Sequence, residues 1–121
     1  MQECLPDHCA RDRRGDCGIM ALTFITLCRI AGIPARWESG LAVAPGDAGC
    51  HDWARFYIAP KGWMYADCSY GSSMARRGDE MLRRHYFGSL DTGRMVANSA
   101  FEAPFDPPMT GFRSDPYDNQ S

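Results

Sequence analysis

Residues 15–40, GDCGIMALTFITLCRIAGIPARWESG, decide how the rest of the chain is read. Asp16 is of the residue type that caps helix N-termini, and Met20, Phe24, Leu27, Cys28 and Ala31 recur at the spacing of one helical face, so a helix starts at or beside Cys17. Ile19, Leu22, Ile25 and Ile30 leave only a narrow polar stripe of Thr23, Thr26 and Arg29, which predicts a helix covered on most sides and central to its domain. Gly32 can take the left-handed conformation that closes a helix, and Pro34 cannot continue one. Cys17 then falls among amides that lack intrahelical acceptors, at the positive end of the helix dipole. Both conditions favour thiolate, the nucleophilic form of cysteine. Taken alone, the residue reads equally well as a small apolar side chain tucked under a helix end, so partners elsewhere must decide.

The chain has 121 residues, enough for one domain with a core, and a composition of 45% hydrophobic and 23% charged residues that is ordinary for a globular protein. A net charge of -2 excludes a polybasic nucleic-acid arm as the main theme. No apolar run reaches the length of a membrane span, and MQECLPDHCARDRR at the start has no signal-peptide core. Six cysteines, at 4, 9, 17, 28, 50 and 68, are too scattered for a disulfide scaffold. Cys4, His8 and Cys9 suggest a zinc site only weakly, because no second ligand pair completes it; loop thiols or a local disulfide suit them better, and no metal or cofactor is assigned. Cys28, Cys50 and Cys68 read as buried thiols.

Residues 1–14 read as a flexible lead-in, and a domain that begins so close to its central helix reads as a piece of a longer chain. After the helix, Ala35 to Leu41 alternates as a strand, and Ala42 to Gly49 reads as a turn or mobile loop. Trp53 to Ile58 and Trp63 to Cys68 are aromatic and β-branched, joined by Ala59-Pro60-Lys61-Gly62, which predicts a hairpin. Pairing about that connection sets position 51 opposite 67 to 69, so His51 and Asp67 fall together on one side of its open end. Gly71 to Arg84 turns polar and basic, a loop followed by a short helix around 79 to 86 with a solvated charged face. Leu90 to Gly93 signals a turn, and Arg94 to Ala97 reads as another strand of the same sheet. The domain is expected to span 15–112, with an irregular Pro-rich end and a flexible tail over 113–121.

Cys17, His51 and Asp67 supply, in that order, a thiol nucleophile, a base able to take its proton near neutral pH, and a carboxylate to fix the tautomer of that base. Such a set attacks an amide or ester carbonyl and forms a thioester, with the Cys17 backbone N–H as the first candidate oxyanion donor.

The blocks GDCGIMALTFITLCRIAGIPARWESG, HDWARFYI and GWMYADCS together resemble the core of the transglutaminase-like superfamily, papain-like cysteine enzymes, over about residues 14 to 70. The resemblance implies an α+β fold with the cysteine helix packed on an antiparallel sheet, and the roles of nucleophile, base and orienting carboxylate for Cys17, His51 and Asp67. It does not fix the reaction, because transglutaminases, peptidases, peptide:N-glycanases and catalytically dead members share that core. Calcium dependence is not implied, since no segment reads as a calcium loop. The leading expectation is a cysteine peptidase or amidase acting on a peptide or protein substrate. A protein-glutamine acyl transferase and a non-catalytic binding domain are the alternatives. Trp37 and Trp53 are tentative walls of a substrate groove, although strand aromatics more often belong to the core. No compartment is indicated.

Overall fold

The computed structural model describes residues 15–100 together with 104, 106–108 and 110. The expected lead-in, the Cys4, His8 and Cys9 group, most of the Pro-rich end and the tail lie outside these residues. Helix α1 spans Cys17–Ile30, and strands β1 and β2 span Ala35–Ala44 and Asp47–Ile58. There follow β3 (Gly62–Ala66), helices α2 (Cys68–Arg76) and α3 (Glu80–His85), and strands β4 (Phe87–Gly88) and β5 (Arg94–Asn98). The strands form one antiparallel sheet in the order β4-β3-β2-β1-β5, so β2 lies at its centre. This is an α+β fold with a cysteine-bearing helix on an antiparallel sheet.

Helix α1 starts where its sequence says it must. Asp16 accepts a hydrogen bond from the Ile19 amide at 2.9 Å, and the helix closes through Gly32, whose φ is 79°. One face of α1, carrying Ala21, Ile25 and Cys28, packs on Ala35, Trp37, Ala54, Phe56 and Ala66 to form the apolar core. Phe24 extends it through edge contacts with Phe56 and Phe87. The other face is not covered as expected. Leu27 and Ile30 are 58% and 78% exposed, because among the described residues the helix is one layer on one side of the sheet rather than a rod enclosed all round. No helix among the described residues is long and apolar enough to cross a membrane.

The sheet corrects two further expectations. Ala42 to Gly49 is mostly strand: β1 and β2 pair continuously from Ala35↔Phe56 to Ala44↔Asp47, leaving only Pro45 and Gly46 to turn. Proline holds φ near about -65° and Gly46 takes a φ of 78°, the combination a type II turn requires. A short Pro-Gly connection flanked by small residues lacks the aromatic and β-branched content that marks a strand, which is why the extension was not legible. Cys50 consequently sits on this outlying ribbon, exposed and paired with Leu41, while Cys28 is buried and Cys68 half-buried. The second correction is α2, which occupies residues expected to be loop. Gly71 and three serines give it poor intrinsic propensity, and its start is fixed by Asp67, whose carboxylate accepts from the Tyr70 amide at 2.9 Å.

Strand β5 is the added edge strand expected from Arg94 to Ala97. Its approach depends on glycine at two places: a Cβ on Gly40 would collide with the Met95 carbonyl, and one on Gly93 with the Val43 carbonyl. That close docking carries Arg94 into the body of the protein, with its side chain only 5% exposed.

Candidate active site

Successive residues of a strand face opposite sides of the sheet, so His51 and Asp52 are divided between its two faces. His51 shares its side with Trp53 and Arg55, whereas Asp52 shares the helix-covered side with Ala54 and Phe56. The Tyr57↔Trp63 and Ala54↔Ala66 pairs extend to the open end of the β2–β3 ribbon, where the chain leaves β3 at Asp67. There the expected pair forms: His51 Nε2 stands 2.8 Å from Asp67 Oδ2, with both side chains almost fully enclosed. A carboxylate accepts the Nε2 proton and leaves Nδ1 as the basic nitrogen. Nδ1 makes no hydrogen bond among the described residues.

Asp67 serves two structural masters. Oδ1 caps α2 through Tyr70, while Oδ2 faces the imidazole and also Arg94 Nη1, at 2.7 Å. The guanidinium contact is an ion pair rather than a well-aligned hydrogen bond. Burial works to raise the Asp67 carboxyl, but the imidazole, the Tyr70 amide and Arg94 outweigh it and hold the group below the ordinary carboxylate range. Arg94 is itself fixed by Asp91, which accepts from Nε and Nη2 at 3.2 and 3.1 Å. Its guanidinium lies over the rings of Tyr70, Trp53 and Tyr86 at 4.6, 5.2 and 5.8 Å from their centroids. Tyr70 in turn stacks at a tilt on His51, with centroids 4.6 Å apart. The imidazole is thus held from the side by a carboxylate and from above by an aromatic ring.

The thiol lies elsewhere in its pairing. Cys17 stands at the first turn of α1, and its Sγ donates to Asp52 Oδ2 across 3.6 Å. No hydrogen bond joins it to His51 among the described residues. The structure therefore brings His51 and Asp67 together and gives the sulfur a different partner. The surroundings of the sulfur work against the thiolate tendency expected from the helix terminus. Burial first, with the nearby charges of Asp52 and Asp16, pushes the thiol up to about 11 despite a favourable Asp52 amide. Asp52 is pushed up to about 6, chiefly by its own burial.

Trp37 and Trp53 are both buried, at 8% and 0% exposure. Trp37 packs in the core beneath α1, and the Trp53 indole donates to Glu38 at 2.9 Å, with Arg55 3.2 Å from the same carboxylate. A cleft of about 390 Å³ opens next to Tyr70, between the Pro45 turn and Asp91 to Gly93, and Asp47 and Tyr86 line it too. No cluster of three or more histidine, cysteine or acidic side chains suited to a metal occurs among the described residues. Sequence reasoning missed Asp52, Tyr70 and Arg94. Asp52 lies inside the HDW block and the rule of alternation was available for it, whereas nothing local to Arg94 foretells a contact with the residue that follows β3.

A family model of the transglutaminase-like superfamily matches residues 2–68, more than half of the chain, and the protein belongs to that superfamily. The match ends just after Asp67 and takes in α1 and the first three strands. No curated protein and no solved structure matches the chain. The superfamily is one of papain-like cysteine enzymes in general, and membership places the chain in that class without fixing the reaction.

Proposed function

We propose that the protein catalyses thiol-dependent acyl transfer on peptide or amide bonds, with Cys17 as nucleophile, His51 as general base and acid, and Asp67 as the carboxylate that fixes the imidazole. The observation that supports this most is the enclosed 2.8 Å contact between His51 on β2 and Asp67 just after β3, both within the matched segment. In this reading the Cys17 proton passes to His51 Nδ1, and sulfur attacks the carbonyl carbon. The oxyanion takes the Cys17 amide at the helix start, and the imidazolium protonates the departing amine. Water or a second amine then gives its proton to His51 and resolves the thioester, returning the thiol. The step this requires is exchange of the thiol's partner, from Asp52 on the helix-covered side of β2 to the imidazole that the strand projects from its other face. Trp37 and Trp53 are assigned support of the site rather than contact with substrate, because both are enclosed.

A second reading, a binding domain that keeps the fold without the chemistry, draws on one observation: the sulfur pairs with a carboxylate and is pushed up to about 11. The two are separated by trapping. With an N-acylated peptide nitrophenyl ester and acid quench, mass spectrometry should find one acyl group, mapped to Cys17. Cys17→Ala should lose the adduct and more than about 10³-fold of turnover while the circular dichroism spectrum stays unchanged. Absence of an adduct, or turnover preserved in Cys17→Ala, overturns the proposal. Added methylamine divides the outcomes further, free acid marking a hydrolase and the methylamide a transferase.

A further inference from the structure

Asp52 has no place in the reaction just described, yet it is the carboxylate in contact with the sulfur. It is 3% exposed and stands at the foot of α1, where Cys17 Sγ is 3.6 Å from its Oδ2. Among the described residues, the groups around it are few. From α1 come Cys17 and the acidic Asp16; from its own strand comes His51; the residue paired with it on β1 is Ser39, which carries no charge. Asp67 and Arg94 lie with the imidazole on the other side of the strand. No arginine or lysine among the described residues pairs with this buried carboxylate, and the donor it has is the thiol S–H. The arrangement works only while sulfur keeps its proton, since a thiolate would set two anions in contact within a desolvated site.

Resting on the acyl-transfer reading, we infer that Asp52 is a restraining residue that holds Cys17 as a protonated thiol in the free protein, so that loss of its charge arms the nucleophile. Its role is to position the sulfur and set its protonation, not to touch substrate. Neighbouring residues on one strand then act in opposition: His51 takes the proton from sulfur, and Asp52 keeps it there.

The test is alkylation of the whole chain by iodoacetamide from pH 6 to 10, with peptide mapping to read Cys17 apart from the other cysteines. Asp52→Asn keeps the shape and removes the charge; it should label Cys17 at least about tenfold faster at pH 7.5, with the midpoint of its profile lower by a unit or more. Asp52→Glu should retain a profile close to wild type, which a purely structural role for the carboxyl would not require. Labelling of Asp52→Asn at the wild-type rate or slower, with circular dichroism unchanged, overturns the inference. Should that variant not fold, thiolate absorbance at 240 nm in the wild type, taken as the difference from Cys17→Ser, decides instead. A titration midpoint above 10 supports the restraint, and one below 8 overturns it. Faster labelling of Asp52→Asn without any acyl adduct would leave the restraint standing and remove the acyl-transfer reading.

Discussion

The two sides of the central sheet hold themselves together by different physics. Beneath α1 the contacts are apolar: Ala21, Ile25 and Cys28 on Ala35, Trp37, Ala54, Phe56 and Ala66, with small residues letting the helix lie close. On the other side, ionised and aromatic groups alternate. Glu38 takes Trp53 and Arg55, Asp67 takes His51 and Arg94, and arginines lie over the rings of Trp63, Trp53 and Tyr70. The first kind of packing is nondirectional and tolerates shape-conserving change. The second is directional, and removing one member leaves a desolvated charge behind. The oriented imidazole is accordingly found on the second side, while the sulfur stands at the rim of the first.

Phe56→Ala should produce the largest effect, because it removes a buried ring that touches both Phe24 and Phe87. A loss of about 3–5 kcal/mol is expected, read as the shift of a urea unfolding midpoint. If the apolar side is instead loosely packed, the loss will fall below about 1 kcal/mol and the contrast between the sides fails. Arg94→Gln probes the polar side by leaving Asp67 with one cation fewer; roughly 3 kcal/mol of destabilisation is expected. Its distinguishing mark is that Asp67 then titrates higher, so the acid limb of the unfolding curve moves up in pH.

The smallest effect, and the sharpest for the comparison, is the opposed pH dependence of the two carboxylates beside β2. Asp67 is held below its usual value, so the stability it contributes is present above about pH 4 and is lost as pH falls through its folded-state value. Asp52 is raised from 3.8 to about 6, so its contribution is present below about pH 4 and is lost as pH rises through 6. Melting temperatures between pH 3.5 and 7.5 should therefore diverge for the two neutral variants. Relative to wild type, Asp52→Asn gains toward pH 7 by on the order of 1–2 kcal/mol, whereas Asp67→Asn loses in the same direction. Parallel pH slopes for the two variants would show that the carboxylates share one environment.

Several parts of this protein were legible in its letters because they depend on near neighbours. The capped start of α1 at Cys17, its stop at Gly32, the β2–β3 hairpin and the edge strand at Arg94 follow from residue types within a few positions of each other. So did the meeting of His51 with Asp67, since pairing about a short connection fixes which residues share a face. Helix α2 was hidden because serine and glycine spoil its propensity, and the exposed back of α1 because an apolar stripe does not say whether anything covers it.

The sequence by itself determined where α1 begins and ends, that the chain carries a thiol at a helix start, and that an imidazole and a carboxylate meet at the open end of a ribbon. Only the tertiary structure decided which charges surround them: that Arg94 crosses from the edge strand to Asp67, and that the sulfur rests on Asp52. The reason is range. Capping, turns and pairing register are set by neighbours along the chain, whereas burial and charge at a point in space sum over every segment that folding brings there.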